Sequence, residues 1–366
     1  MECPGGFLNG GSVEIAGGTL ENRTRLRLGG SLDFSQAGSV LDNAGILEMV
    51  SPIASWEMHP ESEWHGSGVA IADDSNPITL PDGADESNLV VFHWDDSARH
   101  VQTEEELREA LADENTALVI LEGESPLTLA EDLTVTKQLL ADPGLVMASG
   151  TPPVSGTGAF LRGSLDLGGG TLTVEQGAIL CGESYANCGS VTVSGGLLVN
   201  PGEFTLAGEN ALTLTEQGSL VNLGSLHFQG AAWAVEDASL YSWGWLDLAA
   251  STLEVGEGSS LNLHAYGTAL DEASTVVNRG TISLYAYHDR GTFTLAGSIQ
   301  NQGELSLGVG TLLEGTLENQ GTVRVLDGLR IQGTLQNQGL VETAECQVET
   351  EGDGSFTGNP AQPAAQ

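Results

Sequence analysis

Apolar and polar residues alternate along many short segments of this chain, and a recurring Asn-x-Gly phrase separates several of these segments. Its asparagines are Asn43, Asn222, Asn278, Asn301, Asn319 and Asn337. The last four are spaced 23, 18 and 18 residues apart. Alternation with a period of two predicts strands, and a repeat of about 20 residues predicts the stacked turns of a solenoid.

The repeat also predicts a role for each position. Leu261 and Leu263 share one face of their segment and should stack on leucines of the neighbouring turns. We expect the glycine of each phrase to supply a positive φ at the bend, and the asparagines to occupy equivalent turns and bond in a ladder. The alternative is that Asn-x-Gly forms the hairpin turns of an antiparallel sandwich. The regular period favours the solenoid.

One helix is predicted, over residues 103–112. Thr103 and Glu106 have the spacing of a capping box, and three glutamates fall in the first turn, where the helix dipole favours them. Leu107, Ala110 and Leu111 form a single apolar stripe. Because the end of a solenoid exposes an apolar cross-section, we expect this helix to cover the first turn of the strands that follow.

The pattern divides the chain into four predicted parts. Prolines and acidic clusters interrupt the repeat after residue 50, and Gly, Pro, Ala and Gln dominate the tail. The parts are the last turns of a preceding solenoid (1–50), an acidic connecting segment with one strand-like run (51–102), a main parallel β-helix of about 11 turns with its capping helix (103–350) and a linker (351–366).

Charge narrows the set of partners. The chain has 50 acidic and 11 basic residues, a net charge of −39, which repels nucleic acid and anionic lipid. Neutral glycans, cell-surface proteins and divalent cations remain compatible with it. No apolar run is long enough to span a membrane, and no signal peptide is visible. We interpret the chain as an internal piece of a longer surface protein with flanking domains.

Neither cysteines nor acidic residues predict a metal site or a cofactor. Cys181 and Cys188 lie in a Gly- and Asn-rich segment, and their spacing is compatible either with a disulfide formed outside the cell or with two free thiols. The four cysteines lack zinc-site spacing. The acidic stretch 73–86 lacks the residue pattern of a calcium-binding loop and is interpreted as a solvated connection.

The helix at 103–112 followed by short strands with Asn turns resembles the right-handed parallel β-helix superfamily with the pectate-lyase-like fold. The abundance of Gly and the single lysine, Lys137, make the chain similar to repetitive β-helix regions of bacterial cell-surface and adhesin-like proteins. This resemblance implies an all-β fold, a right-handed single-stranded parallel β-helix with one short N-terminal capping helix. It also implies an extracellular or bacterial cell-surface location.

The residues do not favour catalysis. Enzymes of this superfamily that cut polygalacturonans carry Asn-Thr-Asp, Asp-Asp, Gly-His-Gly and Arg-Ile-Lys motifs. Here Arg330-Ile331-Gln332 approaches the last motif, with Gln in place of Lys, and the other basic residues of the repeats are scattered. We therefore expect a non-catalytic stalk or adhesive spacer. The alternative is a carbohydrate-active enzyme or a carbohydrate-binding module on the same fold.

Aromatic residues supply the one candidate binding site. Alternation places Leu240, Leu246 and Leu248 inward, so the residues between them should face outward. Flat exposed rings suit the CH-rich faces of neutral sugars. The alternative is that a loop or a partner domain covers them. The candidate residues for contact with a neutral glycan are Tyr241, Trp243, Trp245, His264, Tyr266, Tyr285 and Tyr287.

Overall fold

The protein is an all-β parallel solenoid of about 12 turns, seen in a computed structural model. The chain divides into two compact units, Met1–Gly123 with Thr136–Ala141 and Glu124–Val135 with Asp142–Gln366. The structure describes residues 7–9, 13–22, 25–28, 31–43, 46–49, 56–65, 69–73, 89–92, 98–141, 144–148, 154–156, 159–161, 165–175, 178–180, 185–186, 189–200, 202–222, 224–242, 244–263, 268–284, 293–308, 310–344 and 348–364.

The first unit contains short parallel strands and the one helix found among the described residues. Its elements are β1 (Phe7–Asn9), β2 (Val13–Glu14), β3 (Thr19–Asn22), β4 (Arg25–Leu28), β5 (Leu32–Phe34), β6 (Val40–Asn43), β7 (Ile46–Met49), β8 (Trp56–Met58), β9 (Glu63–His65), β10 (Val69–Asp73), β11 (Leu89–Phe92), β12 (Ala98–Val101), α1 (Glu104–Ala112), β13 (Leu118–Leu121) and β16 (Gln138–Ala141).

The strands of this unit continue beyond residue 50. Their order is β1-β4-β7-β10-β11, β2-β5-β8 and β3-β6-β9, so β8, β9 and β10 add a turn inside the range expected as a connecting segment. Trp64 packs against the core and Ala70 belongs to it, while Pro60 lies in the turn between β8 and β9. A proline in a turn leaves the strand pairing intact, so Pro60 does not mark the end of the repeat.

Helix α1 has the predicted cap. The Thr103 side chain accepts from the Glu106 backbone N–H, and the Glu106 carboxylate accepts from the backbone N–H groups of Gln102 at 2.8 Å and Thr103 at 3.1 Å. The hydrogen bond from Gln102, followed by those from Thr103, lowers the pKa of Glu106. The predicted apolar stripe at positions 107, 110 and 111 is buried, and the helix contacts β12 and β13.

The second unit consists of short strands, most of them two to five residues long. They are β14 (Leu127–Leu129), β15 (Leu133–Val135), β17 (Leu145–Met147), β18 (Val154–Gly156), β19 (Ala159–Leu161), β20 (Leu165–Asp166), β21 (Leu172–Glu175), β22 (Ala178–Leu180), β23 (Tyr185–Ala186), β24 (Val191–Ser194), β25 (Leu197–Asn200), β26 (Glu203–Ala207), β27 (Ala211–Thr215), β28 (Ser219–Asn222), β29 (Ser225–Gln229), β30 (Ala232–Val235), β31 (Ser239–Ser242), β32 (Trp245–Ala249), β33 (Thr252–Val255), β34 (Ser260–Leu263), β35 (Thr268–Leu270), β36 (Thr275–Asn278), β37 (Thr281–Leu284), β38 (Thr294–Leu295), β39 (Ser298–Asn301), β40 (Glu304–Leu307), β41 (Thr311–Leu313), β42 (Thr316–Asn319), β43 (Thr322–Val325), β44 (Leu329–Ile331), β45 (Thr334–Asn337), β46 (Leu340–Thr343), β47 (Val348–Thr350), β48 (Ser355–Gly358) and β49 (Gln362–Pro363).

Every third strand of this unit belongs to the same sheet. Sheet A runs β14-β17-β20 and onward to β47, sheet B runs β15-β18-β21 to β48, and sheet C runs from β19 through β22 and β25 to β49. All strand pairs described in the three sheets are parallel, for example Leu246 with Leu226 in sheet A. Among the described residues, the one antiparallel contact is the isolated bridge between Glu175 and Gly195. The antiparallel sandwich is therefore wrong.

In each sheet, most inward side chains of successive strands are apolar and stack on one another. In sheet B, Trp233 lies in register between Leu212 and Leu253, and its ring stacks on Phe228 with centroids 4.9 Å apart. These side chains are almost completely buried. The range 351–366, expected as a linker, contains β48 and β49, which pair with β45 and β46. Phe356 follows Leu335 in register and explains why this polar tail continues the stack.

The asparagines form buried hydrogen-bonded ladders. In sheet B, the Nδ2 of Asn278 donates to the Oδ1 of Asn301 at 2.8 Å, and the same bond links Asn301 to Asn319 at 2.7 Å and Asn319 to Asn337 at 2.8 Å. The first unit has a shorter ladder, in which Asn22 donates to Asn43 at 2.7 Å. Because an amide both donates and accepts, one residue type repeated at one position satisfies itself along the stack.

The expectation that all repeats place Asn in equivalent turns is wrong. Asn222 closes a strand of sheet C, where it accepts from Asn200 at 2.7 Å and donates to Ser242 at 2.9 Å, whereas Asn278 closes a strand of sheet B. In sheet C the residue in register after Ser242 is Leu263, and in sheet B the residue in register before Asn278 is Val255. The Asn200–Asn222 ladder and the Asn278–Asn337 ladder therefore lie at different corners of the coil. Strand alternation is the same at both corners, so it does not show at which corner an asparagine lies.

The glycine of Asn-x-Gly has a different role from the one expected. Gly303, Gly321 and Gly339 are absent from the residues with positive φ. A Cβ on Gly321 would lie 2.1 Å from the carbonyl oxygen of Gly303, and one on Gly339 would lie 2.1 Å from that of Gly321. Glycine is needed here because successive coils approach closely at this corner, and the predicted positive φ is wrong.

Candidate functional site

The outward face of β26, β29 and β32 in sheet A carries the most exposed aromatic side chain that the structure describes. Register aligns Glu203 with Ser225 and Trp245, Thr205 with His227 and Asp247, and Ala207 with Gln229 and Ala249. The leucines and phenylalanines between these positions are buried, so the nine aligned residues share the outward side. We call these nine residues the sheet A face.

Trp245 stands at the edge of this face, where β32 begins. The residue is 50% exposed, and Leu326 at 39% is the other exposed large apolar residue within the described parts of the chain. The Trp245 backbone is bonded to the preceding coil at two points: its N–H donates to the Gly224 carbonyl at 2.9 Å and its carbonyl accepts from the Asn222 Nδ2 at 3.1 Å. The asparagine ladder of sheet C therefore helps to position the backbone that carries the exposed ring.

Two residues further along β32, a carboxylate lies on the same side as the ring. His227 Nδ1 and Asp247 Oδ2 are 2.9 Å apart, and their side chains are 27% and 39% exposed. The two residues lie in register on adjacent strands, about 4.8 Å apart. The contact holds one carboxylate oxygen of Asp247 in place, and its surroundings leave the group accessible to solvent.

Small residues surround this pair. Ala207 and Ala269 are exposed and Ala249 is half-buried, and Ala269 follows Asp247 in register on the next strand. Gln229 is exposed beside them, and Ser225 is half-buried next to Trp245 in its column. The face thus combines one flat aromatic ring with hydroxyl, amide, imidazole and carboxylate groups around low alanine positions. It can form a stacking contact and several hydrogen bonds at once.

Few of the predicted aromatic residues can be located on this face. Tyr241 is half-buried on β31, and Trp245 is exposed on β32. Tyr241 aligns with Val221 and Asn262 in sheet C, whereas Trp245 belongs to sheet A. The buried Ser242 closes β31, and the bend after it sends the two rings to different faces. A single strip containing both Tyr241 and Trp245 is therefore wrong. The remaining candidates lie outside the described residues: Trp243, His264, Tyr266, Tyr285 and Tyr287.

Sequence reasoning missed His227, Gln229 and Asp247. His227 and Asp247 are 20 residues apart in the sequence, one coil of this part of the chain, and each follows a buried leucine. The same alternation that placed Trp245 outward places both of them outward, and only the strand register shows that they lie side by side.

Other predicted features have structural partners or lie outside the described residues. Arg330 Nη1 lies 4.0 Å from Glu351 Oε1, and Gln332 Nε2 donates to Glu351 Oε2 at 3.1 Å, so the Arg-Ile-Gln segment contacts the next turn. Lys137 donates to the Asp113 carbonyl at the end of α1. Cys181 and Cys188 are outside the described residues. Within the described part of the chain, His, Cys, Asp and Glu form no cluster of three suited to a metal ion.

The comparisons with known proteins add no relative. Among the described residues, no helix is long and apolar enough to cross a membrane. No family model matches the chain, and neither the curated proteins nor the solved structures contain a match to it.

Proposed function

We propose that this chain is a non-catalytic spacer, a stalk-like or adhesin-like β-helix segment of a bacterial surface or secreted protein. The observation that carries the proposal is the unbroken parallel register of sheets A and B, each with 12 strands in the second unit. At about 4.8 Å per strand, this register extends the second unit by roughly 50 Å along the stack. A stack of this kind separates whatever is joined to its two ends.

The buried ladders support resistance to separation of the turns. Pulling one coil away from the next would break the backbone bonds of three sheets together with the amide bonds of the Asn278–Asn337 ladder. Parallel pairing places all of these bonds along the stack. Resemblance to the right-handed pectate-lyase-like β-helices, and location outside the cell, are part of the same proposal. The net charge of −39 supports a highly solvated surface.

Force spectroscopy tests the spacer. The full chain is tethered through its two ends, and extension is recorded as the pulling force rises. A spacer is expected to hold its length up to a high unfolding force and then to release coils in steps of about 20 residues. A chain that extends smoothly at low force would overturn the proposal. A matched variant, Asn319→Ala, should lower the force of the steps from the C-terminal turns, because it removes amide bonds between them.

A further inference from the structure

We infer that the sheet A face is a binding subsite for a neutral hexopyranose unit of a glycan, with Trp245 as its platform. The inference concerns this face alone and does not depend on the spacer function. Its three elements are the exposed ring of Trp245, the Asp247 carboxylate held by His227, and the low alanine positions around them.

The ring supplies the apolar part of recognition. Leaving half of a tryptophan in water on an otherwise polar face forgoes a favourable burial, and a ligand with a flat apolar side recovers it. One side of a hexopyranose presents axial C–H groups and matches the ring in size. Since the Trp245 backbone is bonded to Gly224 and Asn222, the main chain that carries the platform is in place before a ligand arrives, and binding requires no backbone ordering there.

Polar groups lie where the hydroxyls of a stacked sugar would reach. Asp247 is two residues from Trp245 on the same side of β32, about 7 Å along the strand. Its Oδ2 contacts His227, and its Oδ1, which has no hydrogen-bond partner among the residues that the structure describes, can accept from sugar hydroxyls. Hydrogen bonds to a charged acceptor are among the stronger ones. Ser225 can donate and accept directly beside Trp245, with which it lies in register, and Gln229 can do so beyond Asp247, in register with Ala249.

Space and charge select the class of ligand. Ala249 and Ala269 flank Asp247 with single methyl groups, so a sugar ring can approach the carboxylate without displacing a long side chain. The net charge of −39 and the carboxylates of Asp247 and Glu203 disfavour uronic acids, sulfated sugars and phosphates. A neutral pyranose is the ligand whose stacking and hydroxyl groups the face accommodates without electrostatic cost.

Affinity electrophoresis of the full chain tests the subsite. Gels contain hydroxyethylcellulose, galactomannan, laminarin or dextran, with polygalacturonate as the charged comparison. We expect at least one neutral polysaccharide to retard the protein and polygalacturonate not to retard it. Retardation by the neutral polymer should be insensitive to salt. Trp245→Ala should weaken binding about tenfold, and Asp247→Asn should weaken it less, because the amide still accepts a hydrogen bond.

Leu326→Ala is the matched control, since it removes the other exposed large apolar residue on a different strand connection. Binding by this variant should equal that of the unmodified chain. Thermal melting of each variant establishes that the fold is retained, as expected for an exposed side chain. The inference is overturned if none of the neutral polymers retards the protein, or if Trp245→Ala binds as well as Leu326→Ala. Loss of binding leaves the force measurement of the spacer unaffected, so the two proposals fail separately.

Discussion

At single positions of this solenoid, the backbone needs a particular φ that the neighbouring residues in sequence do not reveal. Residues 208, 230 and 250 each follow the last residue of a sheet A strand, and these last residues are aligned in register. Gly208 and Gly230 have φ of 69° and 71°, and Ala250 adopts the same left-handed region with φ of 50°. Alanine there carries a steric cost that glycine avoids. The Ala250 N–H bonds to both carboxylate oxygens of Asp271, at 3.0 Å each, and keeps the turn in place.

We therefore predict that Ala250→Gly stabilises the protein, by about 1 kcal/mol, because the strain disappears while the Asp271 hydrogen bonds remain. Chemical denaturation monitored by circular dichroism measures the change. Ala249→Gly is the control: it is the last residue of β32, and glycine there should destabilise by about 0.5–1 kcal/mol. Equal destabilisation by both variants would show that Ala250 is unstrained.

At the glycines of Asn-x-Gly, the limiting factor is the space available for a side chain and not the backbone φ. We predict that Gly321→Ala destabilises the protein by about 3 kcal/mol, since its Cβ would meet the Gly303 carbonyl oxygen at 2.1 Å and push two coils apart. The midpoint of denaturation measures this loss. Gly256→Ala is a milder control, because its Cβ would lie 3.2 Å from the nearest atom, the Val235 carbonyl oxygen. If both variants have the same midpoint, close coil packing is not what selects glycine at 321.

Each ladder behaves as an element of its own, with a first, a middle and a last member. Asn319 accepts from Asn301 and donates to Asn337 and to the Leu340 carbonyl, so it has partners on both sides. Asn278 begins the ladder, and its Oδ1 is buried without a hydrogen-bond partner among the described residues. The reason is the preceding position in register, Val255, which has no donor to offer. Members of one ladder therefore differ in what their removal costs.

Asn319→Ala is predicted to destabilise the protein by about 1–3 kcal/mol, because it leaves the Oδ1 of Asn337 buried without its donor. Asn278→Ala likewise leaves the Oδ1 of Asn301 without its donor, but it should cost less: the acceptor it removes is already unsatisfied, whereas Asn319→Ala also takes an acceptor from Asn301 Nδ2. Hydrogen exchange of the strands β42 and β45 measures where the stability is lost. Gln320→Ala, an exposed neighbour, is the control and should leave exchange unchanged. A cost for Asn278→Ala equal to or above that for Asn319→Ala would contradict this account.

At the scale of elements, the sequence predicted most of what strand alternation determines. The capping box of α1 and the shared inward face of Leu261 and Leu263 agree with the structure, because local hydrogen bonds and alternating burial leave a direct trace in the residues. The corner at which each asparagine lies left no such trace. Asn222 and Asn278 are each preceded by a valine and followed two residues later by a glycine, and only counting strands between them reveals that one closes sheet C and the other sheet B.

At the scale of the whole molecule, the repeat predicted a parallel solenoid, while the extent of the strands and the candidate face were predicted incompletely. Strands β8–β10 and β48–β49 lie in stretches whose prolines and acidic residues suggested connections, since turns tolerate such residues, whereas β11 coincides with the one strand-like run expected there. On the face, a register of one coil brings His227 beside Asp247. This juxtaposition depends on coil length, which varies along the chain and cannot be read from residue types alone.

The net charge of the whole chain predicts that salt changes the stability of the fold. A net charge of −39 on a stack whose outward positions recur about every 4.8 Å brings like charges close together, and this repulsion opposes the folded state. Raising NaCl from low concentration to above physiological ionic strength shortens the Debye length to below about 8 Å and screens the repulsion. The melting temperature should therefore rise by a few degrees, as calorimetry would record.

Choline chloride should have the same effect as NaCl if screening is the cause, and sucrose at equal osmolarity should not reproduce its dependence on ionic strength. A melting temperature that falls as either salt is added would mean that attractive ion pairs, such as Arg324 with Glu304 and Glu342, outweigh the repulsion.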